Sequence, residues 1–399
     1  MPLAVYILGV AIFAQGTSEL MLAGLLPEMA ADLGVSVPDA GLLISGFAVG
    51  MLVGAPILAV LTLRWPPRTA LLAFMAVFVI SHVVGALTSS YGVLLATRVV
   101  GAFVYAGFWA VAAVTALSLV PADARGRAMS VVAGGLTVAT LIGLPAGTLV
   151  GQSLSWRAAF WAVAALSAVA AAGVVATIPA TRPQAPYGGA PSLRAQVRAL
   201  ARPQIWLACV TTAVSTAAVL VTFAYLAALL VETTGLAPGW VAGVLALYGL
   251  GSLIGITLGG RVADLRPFAL LFAGLTGVTL VSAGIGLGAA AAWAVVPLAF
   301  LLGGFGMAVN PALNTRVFTL AAGAPTLAAS VNVSAFNVGI TAGPWLGGLA
   351  LEWGYGYAST GWIGAGLGLV ALATVALARA LPPAPPVQDA PVEPVVRAS

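Results

Sequence analysis

Long apolar stretches dominate this sequence and restrict what it can fold into. Of the 399 residues, 61% are apolar and only 6% are charged, whereas about a quarter of the residues of a soluble domain carry charge. The stretches run for about 20 residues, the length of a membrane-spanning helix, and lack the alternation of β-barrel strands. The sequence therefore predicts an all-α polytopic membrane protein and excludes a soluble or disordered chain.

The rare residue types exclude several kinds of chemistry. All 15 basic residues are arginines, so no phosphate-binding loop with its lysine can form, and ATP hydrolysis is not expected. His82 and Cys209 are the single histidine and cysteine, too few for a zinc site or an internal disulfide. We therefore predict no cofactor and no metal. We also predict no nucleic-acid partner, since the arginines do not cluster on one domain face.

Two other membrane-protein classes also lack their signatures. An intramembrane enzyme would need clustered histidines and acids or an aspartate pair. A channel would need rings of like residues or a filter loop. Neither pattern occurs in the spans, so we predict that the chain is not an enzyme and not a channel.

The apolar stretches number twelve and fall into two sets of six. The predicted spans are 5–26, 40–63, 69–88, 92–119, 127–151, 157–179, 205–231, 239–260, 267–290, 293–314, 325–350 and 357–380. Thirteen of the fifteen arginines then lie in the loops and tail on one side, and Arg157 is alone on the other. Because cytoplasmic loops are enriched in arginine, both termini are predicted to be cytoplasmic.

The domain plan follows from these spans. We predict an N-terminal six-helix bundle at 1–180, a cytoplasmic linker at 181–204, a C-terminal bundle at 205–380 and a proline-rich, disordered tail at 381–399. In the linker, Arg194, Arg198 and Arg202 recur every four residues. This spacing predicts a short helix on anionic lipid headgroups, and a solvated basic linker is the alternative.

An internal repeat relates the two halves at an offset of about 200 residues. Gly50 and Gly54 correspond to Gly251 and Gly255. The 143–147 stretch, which contains Gly143, Pro145 and Gly147, corresponds to Gly343 and Gly347. Two related bundles predict a substrate cavity at their interface, near the middle of the membrane.

Ionisable side chains inside the predicted spans are rare and are candidates for function. Glu19 and Arg98 each fall about 10 Å below the same membrane boundary, at 1.5 Å per residue, so they can meet. We hypothesise that Glu19 carries a proton and that Arg98 tunes it, because burial favours the neutral carboxyl and a nearby guanidinium the charged one. The alternative is a fixed buried ion pair. His82 is a candidate proton relay, with packing as the alternative.

Polar and aromatic residues recur at helical spacing around these groups. Arg98, Ala102, Tyr105 and Trp109 share one face of the fourth span, and Gln15, Ser18 and Glu19 share one face of the first. Such stripes predict a cavity for a neutral, amphipathic small molecule. The candidates from the second half are Tyr225, Tyr248, Phe305, Asn310, Asn314, Asn332, Phe336 and Asn337. Helix packing is the alternative for the aromatics, and bonding between helices for the asparagines.

Four stretches resemble one family of transporters. Residues 95–102, with Arg98 and Gly101, resemble the fourth-helix motif of the twelve-span drug/proton antiporter branch of the major facilitator superfamily. The 143–147 stretch resembles its fifth-helix antiporter motif, and residues 260–264, ending in Asp264, resemble the second-half copy of the superfamily's signature loop. Residues 16–27 resemble the first helix of bacterial chloramphenicol-resistance exporters.

The first-half signature loop departs from this resemblance. Ala59, Leu63 and Pro66 stand where the family has Gly, Asp and Gly. Arg64 and Arg68 remain and are predicted to pair with Asp123 or with lipid phosphate.

The resemblance implies the function. We expect a proton-coupled secondary transporter that exports small hydrophobic drugs, foremost chloramphenicol-like antibiotics, by alternating access. An exporter of sugars or nucleosides from the same branch is the alternative. The resemblance also implies the bacterial inner membrane, with protons, a small-molecule substrate and the lipid bilayer as partners of a monomer.

Overall fold

The computed structural model describes residues 1–61, 65–121, 124–179, 203–263, 265–320 and 325–381. Helices and short turns make up this part of the chain, and it contains no strand. The predicted linker helix, most of the linker and nearly all of the C-terminal tail lie outside the described residues.

In its described residues, the N-terminal half forms eight α-helices. They are α1 (Leu3–Leu20), α2 (Leu26–Leu33), α3 (Val37–Leu61), α4 (Pro67–Leu87), α5 (Tyr91–Ser118), α6 (Arg125–Val138), α7 (Leu144–Ser153) and α8 (Trp156–Thr177).

The C-terminal half forms an equivalent set of spans. Its helices are α9 (Pro203–Ala224), α10 (Leu226–Ala228), α11 (Val241–Ala263), α12 (Pro267–Gly288), α13 (Ala292–Ala308), α14 (Asn310–Leu320), α15 (Pro325–Glu352) and α16 (Ala358–Ala380).

These helices account for the predicted spans. In the described ranges, eleven helical segments are long and apolar enough to cross a membrane, and the 28-residue α15 corresponds to the one remaining predicted span, 325–350. Proline opens α4, α9, α12 and α15, because its fixed φ suits the first helical turn and its missing N–H is not needed there. The predicted boundaries therefore agree with the observed helices to within a few residues.

Breaks within the spans were not anticipated from the sequence. Leu25 (φ −124°, ψ 1°) interrupts the first span, and Tyr225 (φ −105°, ψ 9°) interrupts the seventh, 200 positions later. A π-helical turn at Ala139–Gly143 separates α6 from α7. The polar segment after the first span, predicted as a loop, contains the short helix α2, which ends at Gly34 in the left-handed conformation (φ 66°).

Each half packs as a bundle, and the two bundles use equivalent helix pairs. In the first, α3 packs on α5, and α4 packs on α8; in the second, α11 packs on α13, and α12 on α16. The glycines make the correspondence exact in register. A methyl group on Gly50 or Gly54 would overlap the carbonyl oxygen of Val99 or Phe103, and one on Gly251 or Gly255 would overlap that of Phe300 or Gly304.

The bundles meet along α3 with α15 and along α7 with α11. Ser45 Oγ donates to the Thr341 carbonyl at 2.9 Å, Gly348 lies against Pro38, and Gly24 lies against Leu245. These contacts lie toward the end of the molecule where α3 begins and α15 ends, which we call the closed end.

Candidate functional site

A buried polar cluster joins three helices of the N-terminal bundle. Ser18 of α1, His82 of α4 and Arg98 of α5 are 0%, 3% and 2% exposed. Arg98 donates from Nη1 to Ser18 Oγ at 2.7 Å and from Nη2 to the Ser18 carbonyl at 3.0 Å. The Ser18 hydroxyl also lies 2.6 Å from His82 Nε2. One serine therefore links the buried arginine to the histidine.

The hydrogen bonds fix the proton positions in this cluster. His82 Nδ1 lies 2.8 Å from the Phe78 carbonyl, which can only accept, so Nδ1 carries the proton. Nε2 is then the acceptor, and the Ser18 hydroxyl donates to it while accepting from Arg98. This arrangement keeps the imidazole neutral, since a second proton would place two positively charged donors on one hydroxyl oxygen.

Aromatic rings enclose the cluster. The Arg98 guanidinium carbon lies 4.2 Å from the centre of the Phe47 ring, a cation–π distance. Phe78 packs 4.2 Å from the His82 ring, and Phe160 packs 5.5 Å from it. In the described part of the chain, Arg98 Nε has no hydrogen-bond partner. The sequence pattern did not single out Phe47 or Phe78, because nothing in their spacing distinguishes them from packing residues.

Glu19 adjoins this cluster without pairing with Arg98. It directly follows Ser18 in α1 and is partly exposed. Among the described residues, the ion pair within 4.0 Å is Arg157 with Asp32. The fixed Glu19–Arg98 ion pair, which was the alternative to proton transfer, is therefore not formed in this conformation.

The other predicted residues of the first bundle continue from the cluster along α1 and α5. Trp109 Nε1 donates to the Tyr105 hydroxyl at 3.2 Å, and Tyr105 is fully buried. Gln15 donates to the Ala11 carbonyl at 3.3 Å, and its buried Oε1 has no partner among the described residues. Tyr105 and Trp109 of the predicted α5 stripe therefore contact each other, and a role of the stripe in substrate binding stays a prediction.

The predicted aromatics of the second bundle are packed. Tyr225 donates to the Pro344 carbonyl at 2.8 Å and lies against Gly41 at the bundle interface. Tyr248 stacks on Phe223, with ring centres 4.3 Å apart. Phe305 lies over Gly277 of α12, and Phe336 packs on an apolar cluster that includes Leu271. These contacts are those of helix packing, and a substrate role for the four residues stays a prediction.

Three of the asparagines form a ladder that joins α14 to α15. Asn314 Nδ2 donates to Asn310 Oδ1 at 2.6 Å, and Asn332 Nδ2 donates to Asn314 Oδ1 at 2.5 Å. Asn337 donates to the Val333 carbonyl at 2.9 Å. The Oδ1 atoms of Asn332 and Asn337 are buried and have no partner in the described ranges. One bond between helices, from Asn332 to Asn314, and bonds within α14 and α15 therefore use the three donating amide nitrogens and leave two acceptors unused.

The fifth-helix stretch packs on α1 beside the cluster. A methyl group on Gly143 would overlap the Thr17 hydroxyl, and one on Gly147 would lie 2.9 Å from Met21 Cβ. Pro145 lies in the first turn of α7, directly after the π-helical turn. On the opposite side of this turn, Gly249 of α11 lies against the Thr140 carbonyl. The stretch therefore contacts the cluster helix α1, and the adjoining π-helical turn contacts the second bundle.

Gly101 and Arg68 are the remaining motif residues that the structure describes. A methyl group on Gly101 would lie 3.7 Å from Ser81 Cβ and 4.0 Å from His82 Cε1, which are ordinary contact distances. Arg68 lies in the first turn of α4. Arg64, Asp123 and Asp264 lie outside the described residues, so the pairing of Arg64 and Arg68 with Asp123 or with lipid phosphate stays a prediction.

A second polar network lies beyond the spans at the closed end. Arg157 pairs with Asp32 of α2 and donates to the Thr88 carbonyl at 3.1 Å. Trp156 Nε1 donates to Asp32 Oδ2 at 3.0 Å. The hydrogen bond from Arg157, followed by that from Trp156, lowers the pKa of the Asp32 carboxyl. This network ties α2 to α8 and to the turn between α4 and α5.

A groove of about 540 Å³ opens between α15 and α16. Its lining residues are Leu346, Leu349, Ala350, Trp353, Tyr355, Ala358, Ser359, Trp362 and Ile363. Trp353 and Tyr355 are about 70% exposed, as is usual for aromatic residues at a membrane boundary. The predicted substrate residues do not line this groove.

Comparison with known proteins identifies the family. The model of the Major Facilitator Superfamily matches residues 8–332. The chain belongs to the major facilitator superfamily. It is therefore a multi-pass membrane transporter, in agreement with the fold predicted from the sequence.

Individual members of the superfamily are similar over most of the chain. A chloramphenicol resistance protein of Streptomyces lividans is 46% identical over 344 residues, which are 86% of this chain and 88% of that protein. A chloramphenicol efflux pump of Mycobacterium tuberculosis is 29% identical over 87% of this chain and 85% of its own length. The crystal structure of the human organic anion transporter MFSD10 has a TM-score of 0.65 at 17% identity, covering 94% of this chain and 98% of that one; it supports the fold alone.

Proposed function

We propose that this transporter exports small hydrophobic drugs, foremost chloramphenicol-like antibiotics, in exchange for protons. The observation that carries the proton part is a buried Arg98 beside a Glu19 with which it forms no ion pair. The names of the Streptomyces and Mycobacterium relatives support the substrate class. Relatives and family alike are transporters, which fits a chain without enzymatic activity.

In this proposal Glu19 carries the proton. A carboxyl in an apolar membrane interior is favoured in its neutral form, and an approaching guanidinium favours the charged form. A short movement of Arg98 toward Glu19 would therefore release the proton, and its withdrawal would allow another to bind. Because no charged pair is already formed between them, this movement does not require a salt bridge to be broken first.

The proposed substrate site lies between the bundles, next to Glu19. Gln15, Tyr105 and Trp109 supply polar atoms in an apolar wall, and Gln15 Oε1 and Asn337 Oδ1 are unused acceptors. A neutral molecule with aromatic, hydroxyl and amide groups matches this mixture. The Ser18 hydroxyl is already committed to Arg98 and His82, so we place it behind the site and not in it.

We further propose the orientation and the cycle. The arginine distribution places both termini in the cytoplasm of a bacterium, with the closed end facing outward, and a monomer carries out alternating access by rocking the bundles. A proton entering down ~100 mV releases about 2.3 kcal/mol, and one pH unit adds about 1.4 kcal/mol. At about 1.36 kcal/mol per tenfold ratio, this can sustain a drug gradient of several hundredfold.

The test is chloramphenicol accumulation in efflux-deficient bacteria that express the chain or its Glu19→Gln variant, with and without a protonophore. We expect low accumulation in cells with the unaltered chain, and high accumulation with the protonophore or the variant, at equal protein level in the membrane. Accumulation unchanged by the unaltered chain would reject chloramphenicol and direct attention to sugars or nucleosides. Export by Glu19→Gln at the unaltered rate would reject Glu19 as carrier.

A further inference from the structure

Two consecutive residues of α1, Ser18 and Glu19, are possible hydrogen-bond partners of Arg98. Ser18 offers a hydroxyl and a carbonyl, and both accept from the guanidinium. Glu19 offers a carboxylate, the stronger acceptor for an arginine, yet no ion pair joins it to Arg98 within 4.0 Å. The surroundings of Ser18 must therefore stabilise the Arg98 guanidinium enough to keep it away from Glu19.

His82 supplies that preference. Its Nε2 accepts the hydrogen bond from the Ser18 hydroxyl, which leaves the oxygen lone pairs directed at Arg98. Its Nδ1–H is bound to the Phe78 carbonyl, so the ring cannot rotate to offer a donor instead. Phe47 covers the guanidinium face at 4.2 Å. Three neutral groups thus form a binding site for the arginine.

We propose that Ser18 and His82 are positioning residues that hold Arg98 away from Glu19 while Glu19 is protonated. The inference rests on the proposed function, in which Glu19 is the carrier. When Glu19 ionises, Arg98 leaves this holding site and pairs with the carboxylate, and protonation of Glu19 returns it. His82 therefore serves proton coupling as a hydrogen-bond acceptor, without binding the transported proton.

Few other ionisable groups face Arg98. The α1 helix contributes Glu19, α4 contributes His82, and α5 itself contributes Tyr105, whose hydroxyl accepts from Trp109. The neighbour from α3 is Phe47. Glu19 is thus the acid in the described surroundings whose ionisation can draw Arg98 out of the site.

The first variant removes the hydroxyl. In Ser18→Ala, Arg98 keeps only the main-chain carbonyl and pairs more readily with Glu19, so Glu19 takes up a proton only at lower pH. Losing one hydrogen bond to a charged group corresponds to a shift of about one pH unit. The readout is the infrared band of the protonated Glu19 carboxyl during a pH titration, assigned by its loss in Glu19→Gln. Ser167→Ala is the matched control, because Ser167 Oγ is equally buried in the same bundle and has no partner among the described residues.

Two His82 variants test whether His82 acts as a hydrogen-bond acceptor or as a proton carrier. His82→Phe keeps an aromatic ring but removes the acceptor, and we expect the same acid shift as in Ser18→Ala. His82→Gln keeps an acceptor but cannot titrate, and we expect a midpoint close to that of the unaltered protein. If both His82 variants abolish exchange while leaving the Glu19 midpoint in place, His82 binds the transported proton and the positioning role is wrong.

The outcomes distinguish this inference from the proposed function, because the infrared titration needs no drug. Coinciding midpoints in Ser18→Ala, His82→Phe and the unaltered protein would overturn the inference, even where Glu19→Gln abolishes export. Shifted midpoints combined with normal export by Glu19→Gln would support the holding site and reject Glu19 as the carrier. If Glu19 shows no titrating band, both proposals fail together.

Discussion

Two glycines on neighbouring helices show how far a single residue's role depends on its surroundings. Gly101 belongs to the fourth-helix motif, yet a methyl group there would meet ordinary contact distances. Gly54 was noted only for its spacing, yet a methyl group there would lie 2.7 Å from the Phe103 Cα and overlap the neighbouring carbonyl. The steric demand at Gly54 is imposed by backbone, which cannot move aside as a side chain can.

We therefore expect Gly54→Ala to destabilise the protein and Gly101→Ala to leave it nearly unchanged. Overpacking against backbone costs about 2–3 kcal/mol, whereas a substitution without a clash usually stays within about 0.5 kcal/mol. The thermal midpoint of the detergent-purified variants measures both. Equal midpoints for the two variants would contradict the role given to the α3–α5 contact.

The chemistry of the polar residues was only partly evident from their types. Glu19 and Arg98 could be selected from the sequence because charges inside a membrane are rare. Ser18 was predicted to line the cavity, but its hydroxyl bonds to Arg98 and His82 instead. No spacing rule could reveal this, since His82 and Ser18 are 64 positions apart and meet only through helix packing.

Short elements connect the long helices to one another. The helix α2 follows the break at Leu25, and Asp32 on α2 binds Arg157 and Trp156 at the start of α8. The sequence placed Asp32 and Arg157 on the same side of the membrane but gave no reason to pair them. The network therefore fixes the end of the first span against the sixth.

This network should make stability sensitive to acid. Because the pKa of Asp32 is lowered in the folded protein, its contribution is complete above the unfolded value of about 3.9. It is lost as the pH falls through the lowered folded value. We expect the thermal midpoint of the unaltered protein to approach that of Asp32→Asn as the pH falls below about 4.

The comparison at each pH isolates Asp32 from other acids, since both proteins carry the same remaining carboxyls. Arg157→Gln removes the partner and should reproduce the effect of Asp32→Asn at neutral pH. A difference between Asp32→Asn and the unaltered protein that stays constant across the acid range would show that the ion pair does not stabilise α2.

The contact between the two bundles at the closed end bears on transport by the whole molecule. At the closed end, Pro38 of α3 lies against Gly348 of α15, and a Cβ added to Gly348 would be 3.6 Å from Pro38 Cβ. Disulfides form at Cβ separations of about 3.5–4.5 Å. A transporter that works by alternating access must separate these residues in each cycle.

We expect a Pro38→Cys, Gly348→Cys double variant to form a disulfide that stops transport. The Cys209→Ala background removes the native thiol, and a reductant should restore export. Each single cysteine variant is the control, particularly Gly348→Cys, because the Tyr225 hydroxyl lies 3.0 Å from the added Cβ and must shift slightly. Undiminished export by the oxidised, fully cross-linked variant would contradict alternating access through this interface.

The sequence alone determined the membrane fold, the twelve spans and the repeat. The length of the apolar stretches and the positions of the few charges are local properties that decide how a chain inserts into a bilayer. The glycine offset of about 200 residues reappears as equivalent backbone contacts. Only the tertiary structure decided how the polar residues are used. Whether Arg98 binds Ser18 or Glu19, and whether an asparagine faces a cavity or another helix, depends on distances of a few ångströms between helices remote in sequence, and periodicity within one helix carries no information about them.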